Sequence, residues 1–127
     1  MRKNISSGAK WENIVGYSRA VRVGNVIEIS GTVASDKESF VCGKDEYQQT
    51  KFILNKFENI LKEAGATLND VVRTRIYVLN IEKWDEIAKA HQEVFGSIKP
   101  ATSMVEVSKL ISPEYLVEIE ATAILTS

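Results

Sequence analysis

The chain has 127 residues, of which 44% are hydrophobic and 26% are charged, and its formal net charge at pH 7 is -1. We expect a single domain over residues 1–127 that buries roughly 65% of the surface its unfolded chain exposes. The near-neutral charge gives no global attraction to nucleic acid or to an anionic membrane, so neither is an expected partner.

The N-terminal segment and the cysteine count bound the location and the chemistry. MRKNISSGAK is basic at its start but has no apolar stretch after it, and no apolar run approaches the ~20 residues that span a bilayer. One cysteine and one histidine exclude an intramolecular disulfide and disfavour zinc hydrolase chemistry. These features predict a cytoplasmic protein without a cofactor.

The first predicted element is a β-hairpin in the segment RAVRVGNVIEIS. Apolar and polar residues alternate on both sides of Gly24 and Asn25, which form a typical two-residue turn. Residues 31–43 have no clear period, and we expect a loop there.

A long amphipathic helix is predicted from DEYQQTKFILNKFENILKEAG. Asp45 suits its N-terminal end and Gly65 suits the position after its last turn. Its apolar residues recur at helical spacing. They are Tyr47, Thr50, Ile53, Leu54, Phe57, Ile60, Leu61 and Ala64.

The second half of the chain predicts a strand, a helix and two more strands. VVRTRIYVL alternates in the manner of a strand, and a helix is expected over residues 81–95, ended by Gly96. Pro100 precedes the two final strands. The order β-β-α-β-α-β-β predicts an α+β protein with both helices on one face of a single sheet. The apolar side of the second helix consists of Trp84, Ile87, Ala88, His91, Val94 and Phe95.

This layering divides the strand residues into two sets. The apolar set is expected under the helices, where burial stabilises by roughly 25 cal/mol per Å². Its members are Ile27, Ile29, Val72, Ile76, Val78, Val105, Val107, Val117, Ile119 and Ala121. The opposite set is Arg22, Glu28, Arg73, Arg75, Tyr77, Thr102, Met104, Glu106, Glu118 and Glu120. A mixed-charge face of this kind is either solvated or buried in a symmetric oligomer, where each charge needs a partner.

Three segments resemble the Rid family, also called YjgF or endoribonuclease L-PSP. They are YSRAVRVGNVIEISGTVA, DVVRTRIYVLNIEKW and PATSMVEVSKLISPEYLVEIEATAI, and the spacing between them is similar as well. The resemblance, over residues 17–125, implies a chorismate-mutase-like protomer with one mixed sheet. It also implies a homotrimer with small-molecule clefts at its subunit boundaries, which favours burial of the charged face in the interface.

Two positions depart from the deaminase branch of this family, which hydrolyses 2-imino and 2-enamino acids to 2-keto acids and ammonia. That branch holds the substrate carboxylate with an arginine in a segment similar to P-A-R-S-x-V-E-V, and a guanidinium is well shaped for this. Here the segment is PATSMVEV, so Thr102 stands at the arginine position. Ala88 stands at the position of a cleft asparagine. The resemblance therefore implies a cleft without its usual anion clamp.

The remaining family positions are retained. The resemblance makes Glu120 the catalytic carboxylate, which manages protons or holds water; the alternative is an ion pair with Arg73 or Arg75. Arg19 and Arg75 are candidate replacements for the missing cation. The predicted substrate-binding residues are Tyr17, Arg19, Ser30, Gly31, Arg75, Ala88 and Thr102.

Other reactive or aromatic residues have structural interpretations. His91 lies on an apolar stripe, which is typical of a partly buried histidine with a satisfied hydrogen bond. Cys42 precedes a helix, where a thiol pKa can be lowered, but an incidental thiol is the favoured interpretation. Trp84 and Phe95 are expected in the core.

Two functions remain open. The favoured one is a Rid-like hydrolase acting on an imine, an enamine or a related nitrogen metabolite. The alternative is a non-catalytic protein that binds keto acids or other small carboxylates. RNA cleavage or translation inhibition, which the family's older names suggest, is disfavoured by the absence of a basic patch interleaved with aromatic residues.

Overall fold

The computed structural model describes residues 1–126. The main sheet consists of β1 (Arg2–Ile5), β2 (Ala20–Val23), β3 (Val26–Thr32), β6 (Val71–Val78), β7 (Ala101–Glu106) and β8 (Val117–Ile124). A small hairpin consists of β4 (Ser35–Asp36) and β5 (Ser39–Phe40). The helices are α1 (Lys10–Val15), α2 (Glu46–Glu63) and α3 (Trp84–Phe95).

The sheet is mixed, with strand order β1-β2-β3-β8-β6-β7. β6 and β7 are parallel, and the other neighbours are antiparallel. Helices α2 and α3 pack against each other on one face of the sheet, with α2 over β8. The α+β class with a mixed sheet is therefore confirmed. β1, α1 and the β4–β5 hairpin are additions to the predicted order, and the hairpin lies in the segment that was expected to be a loop.

Helix α2 has the ends and the buried side that its sequence predicts. The Asp45 carboxylate accepts from the backbone N–H of Gln48 at 2.9 Å, and Gly65 adopts a φ of 87° after the last turn. Gln49 is also fully buried, and its amide bonds the backbone of residues 43, 114 and 116. It ties α2 to the segment before β8. The buried apolar residues of α2 are Ile53, Leu54, Phe57 and Leu61.

The predicted faces of β7 are wrong. Its parallel register with β6 places Thr102 beside Thr74 and Met104 beside Ile76, so both lie on the helix side of the sheet. Glu106 lies on that side too. Val105, predicted under the helices, is 47% exposed on the opposite face. β7 is a largely exposed edge strand, so burial does not select which of its residues face the core.

Val107 follows Val105 onto that opposite face, where it lines a depression with Tyr77 and Glu118. Val72 was also expected under the helices, but it is 42% exposed, whereas its neighbour Val71 is buried. The β6–β8 register shifts between Val71 and Arg73, so the alternation that places Thr74 and Ile76 under the helices does not extend back to Val72.

Two further residues, Arg22 and Trp84, do not lie where the sequence predicted. Arg22 pairs with the buried Ile27 and lies on the helix side, where its guanidinium donates to the carbonyl of Ala64 at 2.7 Å. A cation at this end of α2 complements the helix dipole. Trp84 begins α3 and is 57% exposed, whereas Phe95 is in the core as predicted.

Candidate functional site

The face of the sheet opposite α2 and α3, here called the open face, carries the predicted catalytic carboxylate. Glu120 lies opposite Arg75 on the neighbouring strand, with 3.6 Å between a guanidinium nitrogen and a carboxylate oxygen. The Tyr77 hydroxyl donates to the same carboxylate at 3.2 Å. Arg73 instead donates to Ser103. The ion pair with Arg75, which was the alternative role of Glu120, therefore forms within one protomer.

Glu118 adds a second carboxylate to the open face, one that the site prediction did not include. Burial raises the pKa of Glu118, the charge of Glu120 raises it further, and Arg19 partly offsets the effect. A Cβ added at Gly31 would overlap the Glu118 carboxylate, which would have to move to admit any larger residue there. Two adjacent carboxylates with different environments are typical of acid–base sites. Residues two apart in a strand share a face, so the position of Glu118 relative to Glu120 was the sequence signal that could have added it to the predicted site.

Four predicted binding residues form one cluster at the end of β3, here called the Tyr17 group: Tyr17, Arg19, Ser30 and Gly31. The Arg19 guanidinium lies 5.6 Å from the centre of the Tyr17 ring and donates to the carbonyl of Gly31 at 2.5 Å. The Ser30 hydroxyl donates to the carbonyl of Ser18 at 2.7 Å. Within residues 1–126, the buried Nε of Arg19 has no acceptor. Gly31 lies directly against the Glu118 carboxylate, which places the Tyr17 group beside the open-face carboxylates.

Of the other three predicted binding residues, Arg75 lies on the open face beside Glu120, whereas Ala88 and Thr102 lie elsewhere. They line a cavity of about 510 Å³ between α3 and the β6–β7 edge, here called the helix-side cavity. β7 is three strand spacings from β3, or roughly 14 Å, and Thr102 faces the helices. One small ligand cannot contact Thr102 and the Tyr17 group of the same protomer. The walls of the helix-side cavity include Ile76, Ala88, His91, Phe95, Thr102 and Met104.

A chain of polar groups crosses the floor of the helix-side cavity. His91 Nε2 lies 3.0 Å from the Thr74 hydroxyl, which lies 2.8 Å from the Thr102 hydroxyl. Thr102 in turn donates to the carbonyl of Pro100 at 3.2 Å. Burial lowers the pKa of His91, which favours the neutral ring. The prediction of a partly buried, hydrogen-bonded histidine is confirmed.

Other chemistries have little support in the part of the chain that the structure describes. Burial and the charge of Asp45 raise the pKa of the Cys42 thiol, opposite to the activation of a nucleophile. Residues 1–126 contain no group of three or more His, Cys, Asp or Glu side chains placed to hold a metal ion. Over the same residues, no helix has the length and apolar character to cross a membrane.

The mixed sheet with its two packed helices defines a chorismate-mutase-like protomer. Residues 8–125 match the family described as Endoribonuclease L-PSP, and the chain belongs to this family, the Rid or YjgF family of the resemblance above. A solved structure from Mycobacterium tuberculosis, a member of the YjgF/YER057c/UK114 family, is 50% identical with a TM-score of 0.91, covering 98% of this chain and 100% of that one.

Two curated relatives match over most of their length. A RutC family protein from Pyrococcus abyssi is 40% identical over 97% of this chain and 98% of its own. The 3-aminoacrylate deaminase RutC from Acinetobacter baylyi is 30% identical over 84% of this chain and 85% of its own.

Proposed function

We propose that this protein hydrolyses a small imine, enamine or related nitrogen metabolite in a cleft formed between the protomers of a homotrimer. The proposal is supported by one observation. Residues that the family resemblance assigns to one cleft lie apart within the protomer. Glu120 and the Tyr17 group lie together, whereas Thr102 lies on β7, roughly 14 Å from β3, and shares the helix-side cavity with Ala88. Two neighbouring protomers can bring the two groups into one cleft, because each supplies one wall.

The open face of the protomer has the character of a surface covered by further copies of the chain. Val105 is 47% exposed and Ile111 is 80% exposed, and both adjoin the charged residues of that face. Apolar side chains beside Glu118 and Glu120 suit an interface in which cations form ion pairs with the carboxylates. Arg75 already performs this role within the protomer.

The open-face carboxylates supply the groups that imine hydrolysis requires. Glu120 holds a water molecule for attack on the C=N carbon. Glu118, whose pKa is raised by burial, donates a proton to the nitrogen. Glu120 takes a proton from the attacking water and passes it to the same nitrogen, the C–N bond breaks with release of ammonia, and the hydroxyl proton returns to Glu118 as the oxygen of the water becomes the carbonyl oxygen. The name of the Acinetobacter relative, 3-aminoacrylate deaminase, supports an enamine substrate.

Ammonia release tests this proposal. The purified oligomer is mixed with imines and enamines generated in situ from several amino acids, and ammonia is measured against buffer. Acceleration that is lost in Glu120→Gln supports the proposal. No acceleration for any member of the panel contradicts it for that substrate class.

A second function, binding without turnover, is favoured by one observation. The Glu120 carboxylate is occupied by Arg75 and Tyr77, while Thr102 leaves the cleft without the family arginine. A thermal-shift panel of keto acids and other small carboxylates tests it, because a ligand at 100 times its dissociation constant stabilises by about 2.7 kcal/mol. No shift for any compound contradicts binding of this class.

A further inference from the structure

We propose that His91 is a ligand-binding residue of the helix-side cavity, where its Nδ1 lone pair accepts a hydrogen bond from an N–H group of the ligand. Thr74 and Thr102 are positioning residues that hold the imidazole in the required tautomer. This inference rests on the proposed function, since it names one contact of the same cleft.

The three hydrogen bonds of the polar chain can form together only if each group donates to the next one, from His91 toward Pro100. The carbonyl of Pro100 can only accept, so the single hydroxyl proton of Thr102 is donated to it. Thr102 must then accept from Thr74, whose own proton is thereby used. Thr74 must accept in turn, and the donor is His91 Nε2–H. The neutral ring therefore carries its proton on Nε2 and has an unprotonated Nδ1.

His91 Nδ1 is open to a ligand. Within residues 1–126, Nδ1 makes no hydrogen bond. Arg19 Nε is the sole buried side-chain nitrogen or oxygen without a partner among these residues, so Nδ1, which also has none, is not buried. Nδ1 is consequently accessible, and His91 is one of the residues lining the cavity. The ring itself is held by Phe95, with 4.8 Å between the ring centres.

The walls of the cavity define the chemical class of the ligand. Ile76, Phe95 and Met104 provide apolar surface, which suits a flat or short hydrocarbon body. Lys99 is the one cation among the described lining residues, and it suits a single anionic group. We therefore expect a small carboxylate with a neutral amine or enamine N–H.

The same polar chain gives a physical reason for threonine at position 102. Arginine has five N–H donors and no acceptor, so it cannot accept the hydrogen bond of Thr74. With arginine at 102, the Thr74 proton would be free to bond His91 Nε2, and Nδ1 would become the protonated nitrogen. The loss of the family arginine and the open Nδ1 are thus linked.

Nitrogen NMR of the full chain labelled with ¹⁵N-histidine tests the tautomer, and the single histidine makes the assignment unambiguous. At pH 7.5 we expect Nε2 protonated and Nδ1 unprotonated. In Thr102→Val the Thr74 hydroxyl should donate to Nε2, so the tautomer reverses. Thr102→Ser should retain the wild-type spectrum, as should Thr122→Val, which removes a threonine hydroxyl on the open face. A wild-type ring protonated on Nδ1 or on both nitrogens overturns the inference, as does an unchanged spectrum in folded Thr102→Val.

A pair of probes tests the binding contact. 2-Aminobenzoate carries a neutral amine beside its carboxylate, and 2-methylbenzoate replaces the amine by a methyl group of similar size. We expect the amine to bind roughly three- to tenfold more tightly, in the range of one hydrogen bond, and only the amine to shift the Nδ1 signal. In His91→Phe the ratio should fall to about one. Equal binding of the two probes to the wild type overturns the contact.

Neither readout requires turnover. Absence of ammonia release together with the expected tautomer and probe ratio would contradict the hydrolase and leave the His91 contact standing. Ammonia release together with the opposite tautomer would support the hydrolase and contradict the His91 contact.

Discussion

Arg75 and Glu120 face each other across neighbouring strands, and their charged groups approach to 3.6 Å on the open face of the sheet. The side chains are 39% and 33% exposed, so solvent screens the pair and it contributes at most about 1 kcal/mol to the stability of a protomer. The pair is accordingly weak enough for water or a substrate to compete with Arg75 for the carboxylate.

Glu120→Gln is predicted to reduce ammonia release by at least about 100-fold, because the amide cannot accept a proton from water. The midpoint of thermal unfolding should change little, since the lost ion pair is exposed. Glu28→Gln is the matched control, because Glu28 lies on the same face outside the Tyr17 group and should retain activity. Equal activity of Glu120→Gln and the wild type would exclude Glu120 as the acid–base group.

Gly31→Ala is predicted to destabilise the protein by about 1 kcal/mol, the low end of the range for an extra methyl in a filled space, because the overlapping atoms belong to a flexible side chain. The new Cβ meets the Glu118 carboxylate. Denaturant unfolding measures the change, and the double variant Gly31→Ala with Glu118→Ala should recover most of it. Additive effects of the two substitutions would mean that the overlap is not the cause.

Glu118→Gln is predicted to stabilise the protein near pH 7. The folded pKa of Glu118 is raised above its ordinary 4.5 by burial, so the favourable contribution of this group exists below 4.5 and is lost as the pH rises through the folded pKa. The amide removes that loss. Urea unfolding at about pH 7 and about pH 4 should show a stabilisation at the higher pH only, and a stabilisation of equal size at both would contradict the assignment.

His91 is predicted to make the fold sensitive to mild acid. Burial lowers its folded pKa below the ordinary 6.5, so the unfolded chain binds the proton more readily. The contribution of the neutral ring is therefore present above 6.5 and is lost as the pH falls toward the folded pKa. Unfolding free energies between about pH 7.5 and about pH 5.5 should fall less in His91→Phe than in the wild type. Parallel curves for the two proteins would refute this.

Thr102→Arg is predicted to raise the hydrolysis of 2-imino acids, because a guanidinium at this position can hold the substrate carboxylate. It should at the same time abolish the preference for 2-aminobenzoate, since the polar chain to His91 is broken. Ammonia release and probe titration measure the two effects in one variant. Unchanged turnover in a folded Thr102→Arg protein would mean that the cleft has diverged at more positions than this one.

The elements that sequence analysis predicted correctly are those with long and redundant signals. Helix α2 has a capping residue, a wide apolar stripe and a terminal glycine that all agree. Strands β3, β6 and β8 occupy the middle of the sheet, where helices cover one face, so their alternation reports burial. The elements that were missed are β1, α1 and the β4–β5 hairpin. They have 4 residues, 6 residues and 2 residues per strand, and are too short to show a period.

The site was predictable only in part, because part of it depends on long-range pairing. The Tyr17 group and Glu120 were predicted together, and the central strands β3 and β8 bring them together. Thr102 was assigned to the wrong face because the parallel register of β7 with β6 sets its direction. The hydrogen bond from Thr74 to Thr102 joins residues 28 positions apart in the chain and has no local signature.

Sedimentation equilibrium of the purified chain at micromolar concentration tests the cleft between protomers most directly. We predict a mass three times the 14.2 kDa of one chain, because two walls from neighbouring copies are needed to complete each cleft. A single species at the mass of one chain would contradict the account, since Thr102 and the Tyr17 group would then never share a ligand.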